Sequence, residues 1–223
     1  MKRFNKVFIP GGAGYVGCVL VPQLLDAGYE LTVYDIMYFG SHGLPDHPNL
    51  SIVEGDIRDA GHYARAVASH DAVVSLGCIS NDASFELDQD LSTSTNMHAF
   101  EPMVVAAKEA GVKRFVYCSS SSVYGVSDEP DVTEDHPLVP LTLYNKYKGM
   151  CEPLLFKHMS GDFECITLRP ATVCGYSPRT RLDVSVNILT NHAITNRKIT
   201  VFGGDQMRPN LHINDMCDLY QLV

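Results

Sequence analysis

The chain has no surplus of positive charge, no paired cysteines, no long apolar run and no internal repeat, and each lack removes a class of function. Its 223 residues carry 17 Lys and Arg against 26 Asp and Glu, for a net charge of −9. Nucleic acid and anionic membrane surfaces both demand clustered cations, so neither is an expected partner. Cys18, Cys78, Cys118, Cys151, Cys165, Cys174 and Cys217 are odd in number, scattered, and show no Cys-x-x-Cys spacing. That pattern predicts neither a metal site nor a disulfide framework. Most of these cysteines sit in apolar runs, where Cys packs as a small core residue. No stretch approaches the roughly 18 apolar residues of a membrane span. Lys2, Arg3 and Lys6 are followed by only three apolar residues before Pro10, too few for a secretory leader. A reducing cytoplasm is the expected setting.

What the chain does have is an ordinary globular composition, 45% hydrophobic and 19% charged, and one organising stretch near its start. Val7, Phe8 and Ile9 form a short apolar run that reads as a buried strand. Gly11, Gly14 and Gly17 follow at a spacing of three, and an apolar helical pattern starts at once with Val16, Val19, Leu20 and Leu24. Strand, glycine turn and helix is the arrangement that offers a helix N-terminus to a diphosphate. One glycine serves the tight turn, one the close approach of backbone to pyrophosphate, one the packing of helix on strand. A second strand, residues 31–35, ends in Asp35. That acid lies 18 residues beyond Gly17 (35 − 17), close to the ~20 expected of the carboxylate that binds the adenosine ribose.

The rest of the chain alternates. Helix is expected over 15–27, strand over 50–54, helix over 60–68 capped by Asp59, strand over 72–76, loop over 77–90, a long helix over 91–111, and strand over 113–118. Each strand is a continuous apolar run, which points to a parallel sheet covered on both faces. Four serines, Ser119 to Ser122, end the fifth strand, where parallel sheets place chemistry. After a turn-rich loop, Thr142 is expected to cap a helix running to about residue 159. On it Tyr144 and Lys148 lie at i and i+4, on one face; taken alone, such a pair is most often a solvated one. A strand is expected at 165–168, helix at 184–195, a short strand at 199–202, and a last helix capped by Asn214.

Seven motifs in order carry a resemblance. They are the glycine stretch with Tyr15 and Val16, then Asp35, Gly55-Asp56-Ile57, Asn96, Ser119 to Gly125, Tyr144-xxx-Lys148, and Leu168-Arg169-Pro170, with Arg208 to Asp215 following. Together they resemble the extended short-chain dehydrogenase/reductases, in the branch of nucleotide-sugar epimerases and dehydratases. The resemblance implies an α/β fold, a Rossmann-type doubly wound parallel sheet. It implies an NAD-binding domain over 1–168, and over 169–223 the start of a substrate-binding portion, incomplete and interleaved with the first.

It also implies roles. NAD would be held by Gly11, Gly14, Tyr15, Val16, Gly17, Asp35, Asp56, Ile57, Leu76, Asn96, Tyr144 and Lys148. Ser120, Tyr144 and Lys148 would be catalytic, with Tyr144 as acid/base, its phenolate favoured by the Lys148 cation and the nicotinamide charge. Ser119, Ser121 and Ser122 read as serines that cap backbone. The nucleotide sugar would meet Ser120, Thr172, Asn187 and Arg208. Thr172 stands where the family has an asparagine, and Arg208-Pro209 where many members have Arg-Asp. NAD is expected over NADP, because Asp35 repels a 2′-phosphate and Ile36 offers it no cation. A homodimer is expected through the helices at 91–111 and 142–159, with Phe100, Met103, Val104, Leu155 and Met159 as either its contact or ordinary core. Epimerisation is the expected reaction. A 4,6-dehydratase or reductase, an idle NAD-binding regulator and, last, a methyltransferase are the alternatives.

Overall fold

The computed structural model describes residues 4–223. Six parallel strands form the main sheet in the order β3-β2-β1-β4-β5-β6. They are β1 (Lys6–Pro10), β2 (Glu30–Asp35), β3 (Leu50–Glu54), β4 (Ala72–Ser75), β5 (Arg114–Cys118) and β6 (Glu164–Leu168). The order reverses between β1 and β4, which opens a crevice beyond the carboxyl ends of those two strands.

Alternation along each strand divides the core into two layers. Phe8, Tyr34, Val73, Phe115 and Tyr117 point to one face. There they meet α2 (Ala60–Val67), α5 (Phe100–Glu109) and α6 (Leu143–Phe156) through Tyr63, Phe100, Val104 and Leu155. Val7, Ile9, Val33, Val74 and Val116 point to the other. That face is covered by α1 (Gly17–Asp26) through Leu20, Val21 and Leu24, and by α8 (Ile213–Leu222) through Ile213, Met216 and Tyr220. The chain's last helix thus returns to pack on its first βα unit. The remaining helices are α3 (Asp82–Leu87), α4 (Gln89–Thr93) and α7 (Ser185–Thr195), and β7 (Thr172–Cys174) pairs in parallel with β8 (Asn210–His212).

Four local expectations are corrected. The stretch 77–90, expected as loop, contains α3, with Asn81 accepting from the Ser84 N–H at its start; only Phe85 on it is buried, so no apolar period announced it. The helix expected over 91–111 is interrupted by a π-turn, Ser94–His98, between α4 and α5. Residues 199–202 form no strand; their apolar side chains are exposed. The strand lies instead at β8, chosen by a partner, β7, that is remote in sequence. Finally, His212 rather than Asn214 caps α8, its ring Nδ1 accepting the Asn214 N–H at 3.2 Å. Of the apolar residues expected at a dimer contact, Phe100, Met103, Val104 and Leu155 are at most 3% exposed and belong to the core; Met159 alone is exposed.

Candidate functional site

The glycine stretch wraps the carboxyl ends of β1 and β4. Gly11 has φ +79°, and a Cβ there would stand 2.3 Å from the Gly77 nitrogen on the neighbouring crossover. At Gly17 a Cβ would stand 2.2 Å from the Gly12 carbonyl oxygen. Gly14 differs: the one atom its Cβ would approach is the Gly11 oxygen, at 3.2 Å, so its other side is open to a ligand. The first turn of α1 has no side-chain cap and no acidic residue. By contrast α2, α3, α4 and α6 are capped by Asp59, Asn81, Asp88 and Thr142. A helix start leaves backbone N–H groups without acceptors, and here, at Tyr15, Val16 and Gly17, they are left for an anion.

Asp35 ends β2. Its carboxylate accepts the Ala13 N–H at 3.1 Å and the Met37 N–H at 3.0 Å, which ties the glycine turn to the strand that follows it. Ile36 beside it carries no charge. Asp56 receives the Arg58 guanidinium, which holds its carboxyl below the usual range, and Ile57 is buried. Leu76 extends β4 by donating its N–H to the Pro10 oxygen at 2.9 Å. Asn96 lies in the π-turn, and its carboxamide both accepts from the Ile79 N–H and donates to the Ile79 oxygen, each at 2.8 Å. The extra residue of the π-turn is what turns this side chain toward the loop after β4.

On α6, Lys148 is buried and donates to the Cys118 oxygen at 2.7 Å, at the carboxyl end of β5. Its Nζ stands 5.9 Å from the centre of the Tyr144 ring and 5.1 Å from that of Tyr117. Burial opposes the Lys148 charge, but the surrounding thiols and phenols of Cys78, Tyr117, Tyr144 and Cys118 outweigh it and hold its pKa well above the ordinary value. Burial also raises the Tyr144 pKa, against the pull of Lys148 and Arg181. Within the protein alone the phenol is therefore held protonated more firmly than free tyrosine, and Lys148 only moderates that.

The serine run has a different division of labour from the one expected. Ser120, not its neighbours, caps backbone, accepting the Ser122 N–H at 3.2 Å. Ser119 donates to buried Glu152 at 2.6 Å, and Ser122 to Asn145 at 2.6 Å. Glu152 in turn pairs with Arg169, which also reaches the Tyr124 hydroxyl at 2.7 Å. This network fixes the ends of β5 and β6 to α6, and so fixes Ser120 relative to Tyr144.

The candidate sugar residues are dispersed. Thr172 starts β7, in register with Asn210. Asn187 on α7 is engaged: it accepts the Gly175 N–H at 3.0 Å and donates to the Tyr15 hydroxyl at 3.1 Å and the Arg181 oxygen at 2.9 Å. Arg208 is exposed and has no carboxylate in ion-pair reach among the described residues. Sequence reasoning passed over Arg181. It pairs with Asp183, which also accepts from Asn81, and it lies within electrostatic reach of Tyr144. Its signal was a cation in a loop of an acidic protein. Among the described residues, no three His, Cys, Asp or Glu side chains converge on a metal position, and no helix is long and apolar enough to cross a membrane.

This geometry fits NAD: an uncapped helix start for the pyrophosphate, an open Gly14, and at the end of β2 a carboxylate followed by the uncharged Ile36. Known proteins agree. The chain is 30% identical over 224 residues to the low-salt glycan biosynthesis protein Agl12 of Haloferax volcanii, covering 97% of this chain and 72% of that protein. A solved UDP-N-acetylglucosamine 4-epimerase from Methanobrevibacter ruminantium superposes with a TM-score of 0.88 at 26% identity, over all of this chain and 73% of that one. DesIV, a dTDP-glucose 4,6-dehydratase from Streptomyces venezuelae with NAD bound, gives 0.87 at 26% identity, over 98% and 71%. The profile of the NAD dependent epimerase/dehydratase family matches residues 7–223, and it is to this family that the chain belongs.

Proposed function

We propose that the protein epimerises a nucleotide-diphosphate sugar through a transient keto sugar. NAD, when bound, supplies the oxidising equivalent and takes it back, so none is consumed. Tyr144 takes the proton from a sugar hydroxyl, that at C4, and returns it at the end of the cycle. Lys148, a buried cation 5.9 Å from the Tyr144 ring centre, lowers the cost of the phenolate. Ser120 hydrogen-bonds the reacting oxygen. Arg208 offers a fork of donors to the diphosphate.

The observation that carries the choice of epimerisation is the pair after Ser120. Loss of water needs an acid and a base beyond Tyr144, and Ser121 and Ser122, with alcohol pKa values, supply no carboxylate. The nearby carboxylates are otherwise engaged: Glu152 by Arg169, Asp183 by Arg181, and Asp82 by the Thr142 hydroxyl at 2.5 Å. The similarity to DesIV, as close as that to the epimerase, keeps 4,6-dehydration as the second reading.

The test is incubation with catalytic NAD and a panel of nucleotide sugars in deuterated water. An epimer of unchanged formula is expected; a product lighter by one water, or a stoichiometric need for NAD, overturns the reading. We further infer a homodimer, with Met150, Phe156 and Met159 of the α6 region exposed for it; light scattering showing a monomer at micromolar concentration would end that idea. Cytoplasmic residence is inferred from seven cysteines that are all unpaired.

A further inference from the structure

Ser120, Ser122 and Asn145 form one hydrogen-bond chain between the end of β5 and the start of α6. The hydroxyls of Ser120 and Ser122 are 2.7 Å apart, and Ser122 Oγ lies 2.6 Å from Asn145 Oδ1. Counting protons fixes the directions. A carboxamide oxygen only accepts, so the single hydroxyl proton of Ser122 goes to Asn145. The bond between the two serines must then carry the proton of Ser120. Ser120 Oγ also receives the Ser122 N–H at 3.2 Å, so its side chain is held from two sides. Asn145 is itself fixed. It is 8% exposed, its N–H donates to Thr142 Oγ1 at 3.3 Å, and it follows Tyr144 directly on α6.

The geometry points to Ser122 and Asn145 as positioning residues that hold the Ser120 hydroxyl and give its proton a resting acceptor beside the reacting sugar oxygen. The inference rests on the reading of Ser120 as the contact to that oxygen. As the sugar hydroxyl gives its proton to Tyr144, Ser120 rotates its O–H from Ser122 to the sugar oxygen. When the alcohol is restored, it rotates back. No covalent bond forms or breaks at either serine, and no proton changes owner there. An amide does not accept a proton from an alcohol, so the chain ends at Asn145 and leads no proton away; exchange stays between the sugar and Tyr144. The hydroxyl at position 122 therefore has a part in the reaction that a backbone cap would not have.

A double-mutant cycle on the whole chain tests this. Ser122→Ala should lower kcat about tenfold, the worth of one neutral hydrogen bond, with KM and Tm little changed. Ser122→Thr, which keeps the hydroxyl, should restore most of the rate. Because Ser122 acts through Ser120, the Ser120→Ala/Ser122→Ala protein should be no slower than Ser120→Ala alone. Multiplying losses in kcat, or a Ser122→Thr protein as slow as Ser122→Ala, overturn the inference while the epimerase stands. An unaltered chain that turns over no nucleotide sugar overturns the reaction itself, and the inference with it.

Discussion

α1 and α7 are of similar length, and they are held in opposite ways. α1 buries Gly17, Cys18, Leu20, Val21, Leu24 and Leu25; α7 buries nothing. The first is locked to the sheet by apolar packing. The second is tied down by polar bonds, above all through Asn187 to Gly175, Tyr15 and Arg181. The cofactor side of the crevice is thus built on elements that cannot move without opening the core. The side proposed for the sugar is built on a loop and a helix held mainly by a few part-buried hydrogen bonds, so its local opening costs less than opening the core. Tyr15 joins the two: its side chain packs in the core of the first, while its hydroxyl donates to the Gly175 oxygen at 2.7 Å and its carbonyl accepts from Ser177 Oγ at 2.8 Å in the second.

The largest expected effect falls where the two sides meet. Tyr144→Phe removes the hydroxyl proposed to move the proton, and should lower kcat by about a thousandfold or more, with Tm and NAD affinity nearly unchanged. Lys148→Met should raise the Tyr144 pKa further, because the cation that opposes burial is gone. The tyrosinate absorbance difference between each protein and its Tyr144→Phe counterpart reports that shift directly. Normal turnover by Tyr144→Phe would mean that the active site lies elsewhere.

Next comes a break confined to the cofactor side. Gly17→Ala puts a methyl group 2.2 Å from the Gly12 oxygen, against backbone that cannot yield without shifting β1 or α1. It should cost about 3 kcal/mol of stability and weaken NAD binding, since the helix start moves. Ile194→Ala on α7, at a side chain 74% exposed, should change stability by less than about 0.5 kcal/mol. Denaturant midpoints of the two proteins decide it; equal losses would erase the contrast between the helices.

The same contrast explains what was legible in the sequence. The central strands could be read because short runs such as Ala72, Val73 and Val74 are dictated by burial on both faces, and the Asp59 and Thr142 caps because their chemistry is local. That Tyr144 and Lys148 share one face followed from helical spacing; their role came only from the resemblance. What escaped was set by distant partners. β8 exists because β7 pairs with it. The π-turn carries Asn96, whose two bonds go to Ile79 in the loop after β4. The roles of Ser119 and Ser122 were misread because Glu152 and Asn145, which accept their hydrogen bonds, stand on another element.

On the sugar side a smaller effect is expected from Arg208→Ala. An exposed arginine with no carboxylate partner among the described residues contributes little to the fold, so Tm should hold. Loss of its donors should weaken nucleotide-sugar binding about tenfold, the scale of one charge-assisted contact partly screened by water. NAD affinity, measured by calorimetry on the same protein, should not change. An equal fall in both would show that the two sides of the crevice are not separable.

The smallest effect compares two aspartates, one at the start of the central strand β1 and one in the loop before α7. Asp71 accepts the Asn5 and Lys6 N–H groups at 2.8 and 2.9 Å, and these bonds, with Lys113 nearby, hold its carboxyl below the ordinary range. Asp183 is held below it by Arg181. A depressed carboxylate stabilises the fold above its unfolded pKa of about 3.9 and loses that contribution as the pH falls through its folded value. At Asp71 the group released is the start of β1, a strand in the middle of the sheet, so Asp71→Asn should lower Tm by a few degrees at pH 7 and flatten the fall of stability in acid. At Asp183 the groups released are Asn81 and Arg181, both in crossing loops, so Asp183→Asn should leave Tm in place and instead speed proteolysis or amide exchange between β7 and α7. A Tm drop at Asp183 as large as at Asp71 would show that the sugar-side loop is part of the cooperative core after all.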